Sequence, residues 1–377
     1  MADSVRIRRI GPGLWSIAPA GAPAPVDADP GIDTAVLEVG GGHLSWSVPA
    51  GPRVPAATLH DLDTAQEWLW ALYGAEVAVA ADEYTEPVTL PARPERPELA
   101  AAVRRLGYAH WAARWWPAST VDGIPALDAA ELEREIAELS EFCESVVDGA
   151  DAVDPAEAET GAEAADRLGA SAPGRATDYA LAAGGQRGTP AALVLERGTA
   201  GWDWRYCPPG VLDASERAVS WELVRTAGVN SLRIRVVAAP GTHGEPPAHL
   251  RPYALVRTPA GDQVAALVSA GDNWAAAVAA TAGTVSGVEV YVPGVGPAAP
   301  AGAGSPESRD PGPGPRDPVD PATRARQRER IRELAHARLR RAGSGPGSGP
   351  APDGGQPLAD IAPLRAEITA AETDSDF

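Results

Sequence analysis

The sequence predicts a multidomain α+β protein. An N-terminal α+β domain occupies residues 1–150 and a mostly antiparallel β-sandwich residues 177–294; a single arginine-rich helix follows over 320–343. Three observations predict this. The hydrophobic period switches between two and about 3.6 within the first 150 residues. From Ala191 onward it stays at two. Two segments, 151–176 and 295–319, hold too few large apolar side chains to offset an ordering entropy of about 1–2 kcal/mol per residue. They are expected to be an acidic linker and a disordered Pro/Gly linker, with a mostly disordered acidic tail over 344–377.

In the first domain, Val5, Ile7 and Ile10 alternate up to Gly-Pro-Gly, and "LWSI" returns as the second strand of a hairpin. "TAVLEV" and "HLSWSV" flank Gly40, Gly41 and Gly42, where positive φ is sterically free, and form a second hairpin. From Asp63 the period is helical, with Ala65, Trp68, Leu69 and Leu72 on one face and Gly74 as the stop. "EVAVA" reads as a strand. Pro97 opens a helix carrying Leu99, Ala102, Val103 and Leu106, which Gly107 is expected to end. Leu132, Ile136, Leu139, Cys143 and Val146 then mark an amphipathic helix with an acidic outer face.

The second domain reads as a meander. "AALVLER", "AVSWELV" and "SLRIRVV" alternate around a turn at Ala227–Asn230, with Leu232, Ile234 and Val236 inward and Arg233 and Arg235 outward. "YALVRTPAGDQVAALVS" is a further hairpin and "VEVYV" a further strand, an arrangement that favours a β-sandwich. Beyond the second linker, Asp320 caps a helix with Pro321 at its first position, running to Gly343.

Composition excludes several chemistries. All 32 Lys+Arg residues are arginine. Without a lysine there is no P-loop ammonium, no pyridoxal Schiff base, no kinase strand lysine and no Ser-Lys hydrolase. The arginine-for-lysine, alanine-rich bias is that of a high-GC genome, with an actinobacterial origin as the expectation. A net charge of −19 repels polyanions, which leaves nucleic acid conceivable only at the C-terminal helix. Neither a signal peptide nor a membrane span is visible, so a cytoplasmic, membrane-free protein with free thiols at Cys143 and Cys207 is expected.

The motif search assigns no catalytic residue, cofactor or metal. "HGE" at His243–Glu245, with His249 beyond it, lacks the P-C-x-x-C half of a zinc deaminase and lies in a Pro/Gly loop. Ser286 in "GTVSG" is not a nucleophile elbow. Cys207 in "YCPPG" has nothing beside it in sequence to lower its pKa, and the carboxylates around Asp128–Asp148 read as a solvated helix face.

What stands out is tryptophan and arginine. In "GWDWRYCPPG" an extended chain would put Trp202 and Trp204 on one side, with Asp203 and Arg205 on the other. Facing inward, the indoles pack a core with Trp221; facing outward, they form a platform for sugar, peptide or protein. With only two phenylalanines in the chain, core packing is favoured. Trp115 and Trp116 raise the same choice at a helix end. The C-terminal helix carries eight arginines against two glutamates, with a narrow apolar stripe of Ile331, Leu334, Ala335 and Leu339. Arg324, Arg328, Ile331 and Leu334 are therefore expected to contact an acidic surface, in this chain or in a partner. The expected function is a non-enzymatic adaptor or scaffold in a multi-protein system. The rival expectation is a hydrolase or carbohydrate-binding protein using the tryptophan strand and the His243/His249 loop.

Overall fold

A computed structural model describes residues 3–22, 31–49, 52–83, 86–147, 192–207, 210–241, 247–280, 285–296, 321–344 and 361–375. The 151–176 segment, nearly all of 295–319, and His243 and Glu245 lie outside the described residues.

The N-terminal region is α+β. Strands β1 (Ser4–Gly11), β2 (Leu14–Pro19), β3 (Thr34–Val39), β4 (Gly42–Ser47), β5 (Ala56–Leu59) and β6 (Val88–Pro91) form one antiparallel sheet in the order β3-β4-β5-β2-β1-β6. Both expected hairpins are present, pairing Ile7 with Ile17 and Leu37 with Leu44. Gly41 has φ 80°, and a Cβ there would stand 2.2 Å from the Asp61 carbonyl oxygen, so this turn admits only glycine. Helix α1 (Leu62–Tyr73) is capped by Asp61, whose Oδ1 accepts from the Thr64 amide at 3.1 Å. Behind the sheet, α3 (Pro97–Trp115) packs on β3 and α1, and α4 (Ala129–Phe142) packs on α3.

Two local expectations are corrected here. "EVAVA" lies within helix α2 (Ala75–Glu83), not in a strand, because Val77, Ala78, Ala80 and Ala81 bury one helical face that strict alternation would split. Gly107 does not end α3. It sits inside the helix because the Trp46 ring lies against it, and a Cβ would come within 2.7 Å of Cζ3.

The second region is antiparallel β throughout. Strands β7 (Leu193–Ala200), β8 (Val219–Thr226), β9 (Val229–Val237), β10 (Tyr253–Thr258), β11 (Gly261–Ala266), β12 (Val268–Ser269), β13 (Asn273–Ala279) and β14 (Gly287–Tyr291) make two sheets. Their orders are β12-β13-β9-β8-β7 and β11-β10-β14. The chain passes from one sheet to the other at Leu267, a fully buried corner between β11 and β12 whose amide donates to the Pro252 carbonyl at 2.9 Å. The β8–β9 turn places Ala227 and Gly228 at φ 51° and 84°, the conformation that a two-residue hairpin requires.

The C-terminal segments depart most from expectation. The arginine helix α5 (Pro321–Gly343) is not isolated, and residues 361–375 of the expected disordered tail carry helix α6 (Arg365–Ser375) packed against α5 and α4. Ile331, Leu334, Leu364 and Ala366 join the same buried cluster as the side chains of both sheet regions. The narrow apolar stripe of α5 thus finds its cover within this chain.

Candidate functional site

The two tryptophan pairs, far apart in sequence, come together where the N-terminal and C-terminal regions meet. Helix α3 delivers Trp115 and Trp116, and Pro117 prevents its continuation. Strand β7 stops at Ala200, and the chain turns into a 3-10 turn over Trp204–Tyr206, capped by Asp203. Trp202 and Trp204 are therefore not alternating strand residues as expected, because this turn replaces the strand. Both are nonetheless 5% exposed, and Trp116 is buried beside a half-buried Trp115.

Two of the four indole N–H groups at this seam donate to carbonyls. Trp202 Nε1 donates to the Asp213 carbonyl at 2.8 Å, and Trp116 Nε1 donates to the Pro125 carbonyl at 2.9 Å. Between the four indoles, Cys207 and Leu212 only about 30 Å³ is left, room for a single water. These residues form a joint between regions. They leave no open platform for a sugar ring.

Asp213 lies at the centre of the joint. Fully buried, its carboxylate accepts from Ser119 Oγ (2.7 Å), Thr120 N (2.7 Å), Val121 N (3.2 Å) and Ser215 N (2.9 Å). The first three donors belong to the N-terminal region, so one carboxylate from the second region organises a turn of the first. Asp213→Asn keeps the size and removes the charge, and we expect it to cost about 1.5–3 kcal/mol in denaturant unfolding. An unchanged midpoint would show that the joint does not depend on this charge.

The cysteines are not poised nucleophiles. Burial pushes the thiols of Cys143 and Cys207 up to about 12, so both stay protonated at neutral pH. His249 is exposed on a 3-10 turn over Ala248–Leu250, whereas Trp202 and Asp203 are committed to the joint.

Helix α5 docks through its arginines on carboxylates of the same chain. Arg324 reaches Asp203 at 3.2 Å; Arg328 grips Glu216 with Nε and Nη2 at 2.5 and 2.8 Å; Arg332 meets Glu216 at 3.2 Å and Asp122 at 3.6 Å. Burial opposes the charge on Glu216, but the hydrogen bonds and charges of Arg328 and Arg332 outweigh it and hold its carboxyl below the usual range. The same balance, with Arg205 and Arg324 opposing burial, lowers Asp203. Further along, Arg338 and Glu367 form a buried bidentate pair. Sequence reasoning named Arg324, Arg328, Ile331 and Leu334, and the structure places the two arginines on carboxylates of this chain and buries the two aliphatic side chains. That reasoning missed Asp213, Arg338 and Glu367, for which only the Asp-x-Ser pattern at 213–215 gave a local hint.

The open surface lies elsewhere, on the five-stranded sheet. Its inner face carries Val219, Leu223, Leu232, Ile234 and Trp274, all buried. On its outer face, register aligns Arg197, Glu222, Arg233 and Ala277 in one cross-strand row, and Thr199, Ser220, Arg235, Ala275 and Val268 in another. Between the rows runs a groove of about 930 Å³, floored by the backbone of Gly198, Trp221, Ile234 and Ala276. At the sheet's end β7 pairs only with β8 among the described residues, and its Leu193, Val194 and Leu195 are 59%, 48% and 39% exposed.

Among the described residues, no group of three or more His, Cys, Asp or Glu side chains could hold a metal ion, and no helix is long and apolar enough to cross a membrane. Compared with protein-family models, curated proteins and solved structures, the chain matches none.

Proposed function

We propose that this chain is a non-enzymatic adaptor that binds a protein partner at the edge of its five-stranded sheet, within a cytoplasmic multi-protein system. The observation that carries the reading is β7. A sheet edge presents unpaired backbone N–H and C=O groups, which natural proteins normally blunt with charge, proline or a cover. This edge has an irregular register between Val194 and Glu196 and charges at Glu196 and Arg197, but it begins with three exposed aliphatic side chains, which strand addition can use for affinity and for specificity. Helix α5, the segment with the most arginine, is engaged with the chain's own carboxylates and so serves to brace the body that presents the edge.

The test is a comparison of native-host purifications of the wild-type chain and the double variant Leu193→Asn/Leu195→Asn. A stoichiometric partner is expected with the wild type and should fall about tenfold with the variant, while melting stays within about 0.5 kcal/mol because both sites are exposed. Equal recovery of the same partner with both proteins would sink the reading.

A further inference from the structure

We infer that the groove across the outer face of the five-stranded sheet binds an extended, acidic segment of a partner protein. This rests on the reading of the chain as a protein-interaction component and adds the chemistry of the partner. Arg197, Arg233 and Arg235 all project from this face and are exposed. Among the described residues none of the three makes an ion pair or a side-chain hydrogen bond; Glu222, which register places between Arg197 and Arg233, is the one carboxylate in the groove lining. Every other arginine cluster described above already has carboxylates of its own.

The shape follows from the register. Ala275 and Ala277 keep the walls low at one end, and the row Gly198, Trp221, Ile234 and Ala276 lies between the two outward rows with its side-chain positions on the inner face, so the floor is backbone and an extended chain can lie close to the sheet. Five strands spaced about 4.8 Å apart make a groove about 19 Å long, the span of about six extended residues. Guanidinium groups along it suit planar carboxylates, which they bind with paired N–H donors. The net charge of −19 argues for a short acidic segment over a long polyanion, because the body repels whatever extends beyond the groove.

The experiment uses the full chain and fluorescence anisotropy. The probe is a fluorescein-labelled peptide of alternating glutamate and alanine; its comparators are the glutamine counterpart and a single-stranded oligonucleotide of equal charge. We expect the acidic peptide to bind, the glutamine peptide not to bind, and binding to weaken as salt rises. Arg233→Ala/Arg235→Ala should weaken binding about tenfold or more, whereas Glu222→Gln should tighten it about threefold, a gain that misfolding cannot imitate.

Equal binding of the glutamine peptide, or no effect of the arginine variant, overturns the inference. So does tighter binding of the oligonucleotide, which would make the groove a nucleic-acid surface. Binding that appears only after residues 151–174 are deleted also overturns it, since the groove would then belong to this chain's own acidic segment. The β7 variant separates the two proposals. Partner recovery that depends on Leu193 and Leu195 without acidic-peptide binding removes only the groove; peptide binding without a β7-dependent partner removes the edge reading.

Discussion

Glu367→Ala is expected to lower the unfolding free energy by about 3–5 kcal/mol, although it lies only a few residues inside the last helix. Glu367 has no exposed surface; its carboxylate accepts from Arg338 Nε (2.9 Å), Arg338 Nη2 (2.6 Å), Tyr108 Oη (2.6 Å) and the Leu364 amide (2.7 Å). Arg338 is 2% exposed, with its guanidinium 4.7 Å from the Tyr108 ring centroid and donating to the Ile361 carbonyl at 2.6 Å. Removing the carboxylate leaves a buried cation with carbonyls and a ring face but no counter-charge. The double change Arg338→Met/Glu367→Leu should cost far less than the two single losses added, since well-packed apolar groups replace a pair whose desolvation offsets much of its attraction. Denaturant unfolding of the three variants measures this. A single-variant loss below about 1 kcal/mol would mean that water reaches the pair.

Trp202→Ala is the second large effect, about 3–5 kcal/mol, with Trp204→Ala in the same range. The indole of Trp202 is buried at the joint and donates to the Asp213 carbonyl, so truncation removes packing area and frees the residue that organises the opposite turn. Because the joint has about 30 Å³ to spare, the vacated volume cannot be filled by a small shift of existing neighbours. Unfolding followed by tryptophan fluorescence and by calorimetry would report the loss. Unchanged melting, combined with loss of a bound partner or glycan, would restore the platform reading.

How much of this was legible depended on sequence range. The alternation of Leu232, Ile234 and Val236 with Arg233 and Arg235 is a property of adjacent residues; it predicted β9, its buried face and the arginines that now line the groove. The Gly41 turn is equally local. "EVAVA" misled because five residues fit both periods, and only the burial of α2 against its neighbours decides between them. Gly107 misled because its reason, the Trp46 ring, lies elsewhere in the chain. The joint was out of reach. Asp213 meets Thr120 across 93 positions and Glu367 meets Tyr108 across 259, and no periodicity links residues so distant. The tryptophans were legible as residues of interest, but their partners were not.

The position of helix α6, after every partner it packs on, bears on the order in which these elements can pack during synthesis. Arg105, Tyr108 and Glu135 emerge early, yet Arg105 donates to the Ala362 and Pro363 carbonyls, Glu135 accepts from the Arg365 amide, and Tyr108 awaits Glu367. Domains fold largely in the order in which they leave the ribosome. The N-terminal region can therefore collapse with Arg105 and Glu135 paired to each other, but their remaining hydrogen bonds and that of Tyr108 are made only when residues 361–367 arrive. A chain cut before residue 361 is expected to keep its sheets but to carry Arg338 without the Glu367 carboxylate that receives it. Such a chain is expected to be loosest where Tyr108 and the adjoining α3 surface stay wet, so a protease would distinguish it from a chain that carries residues 361–367.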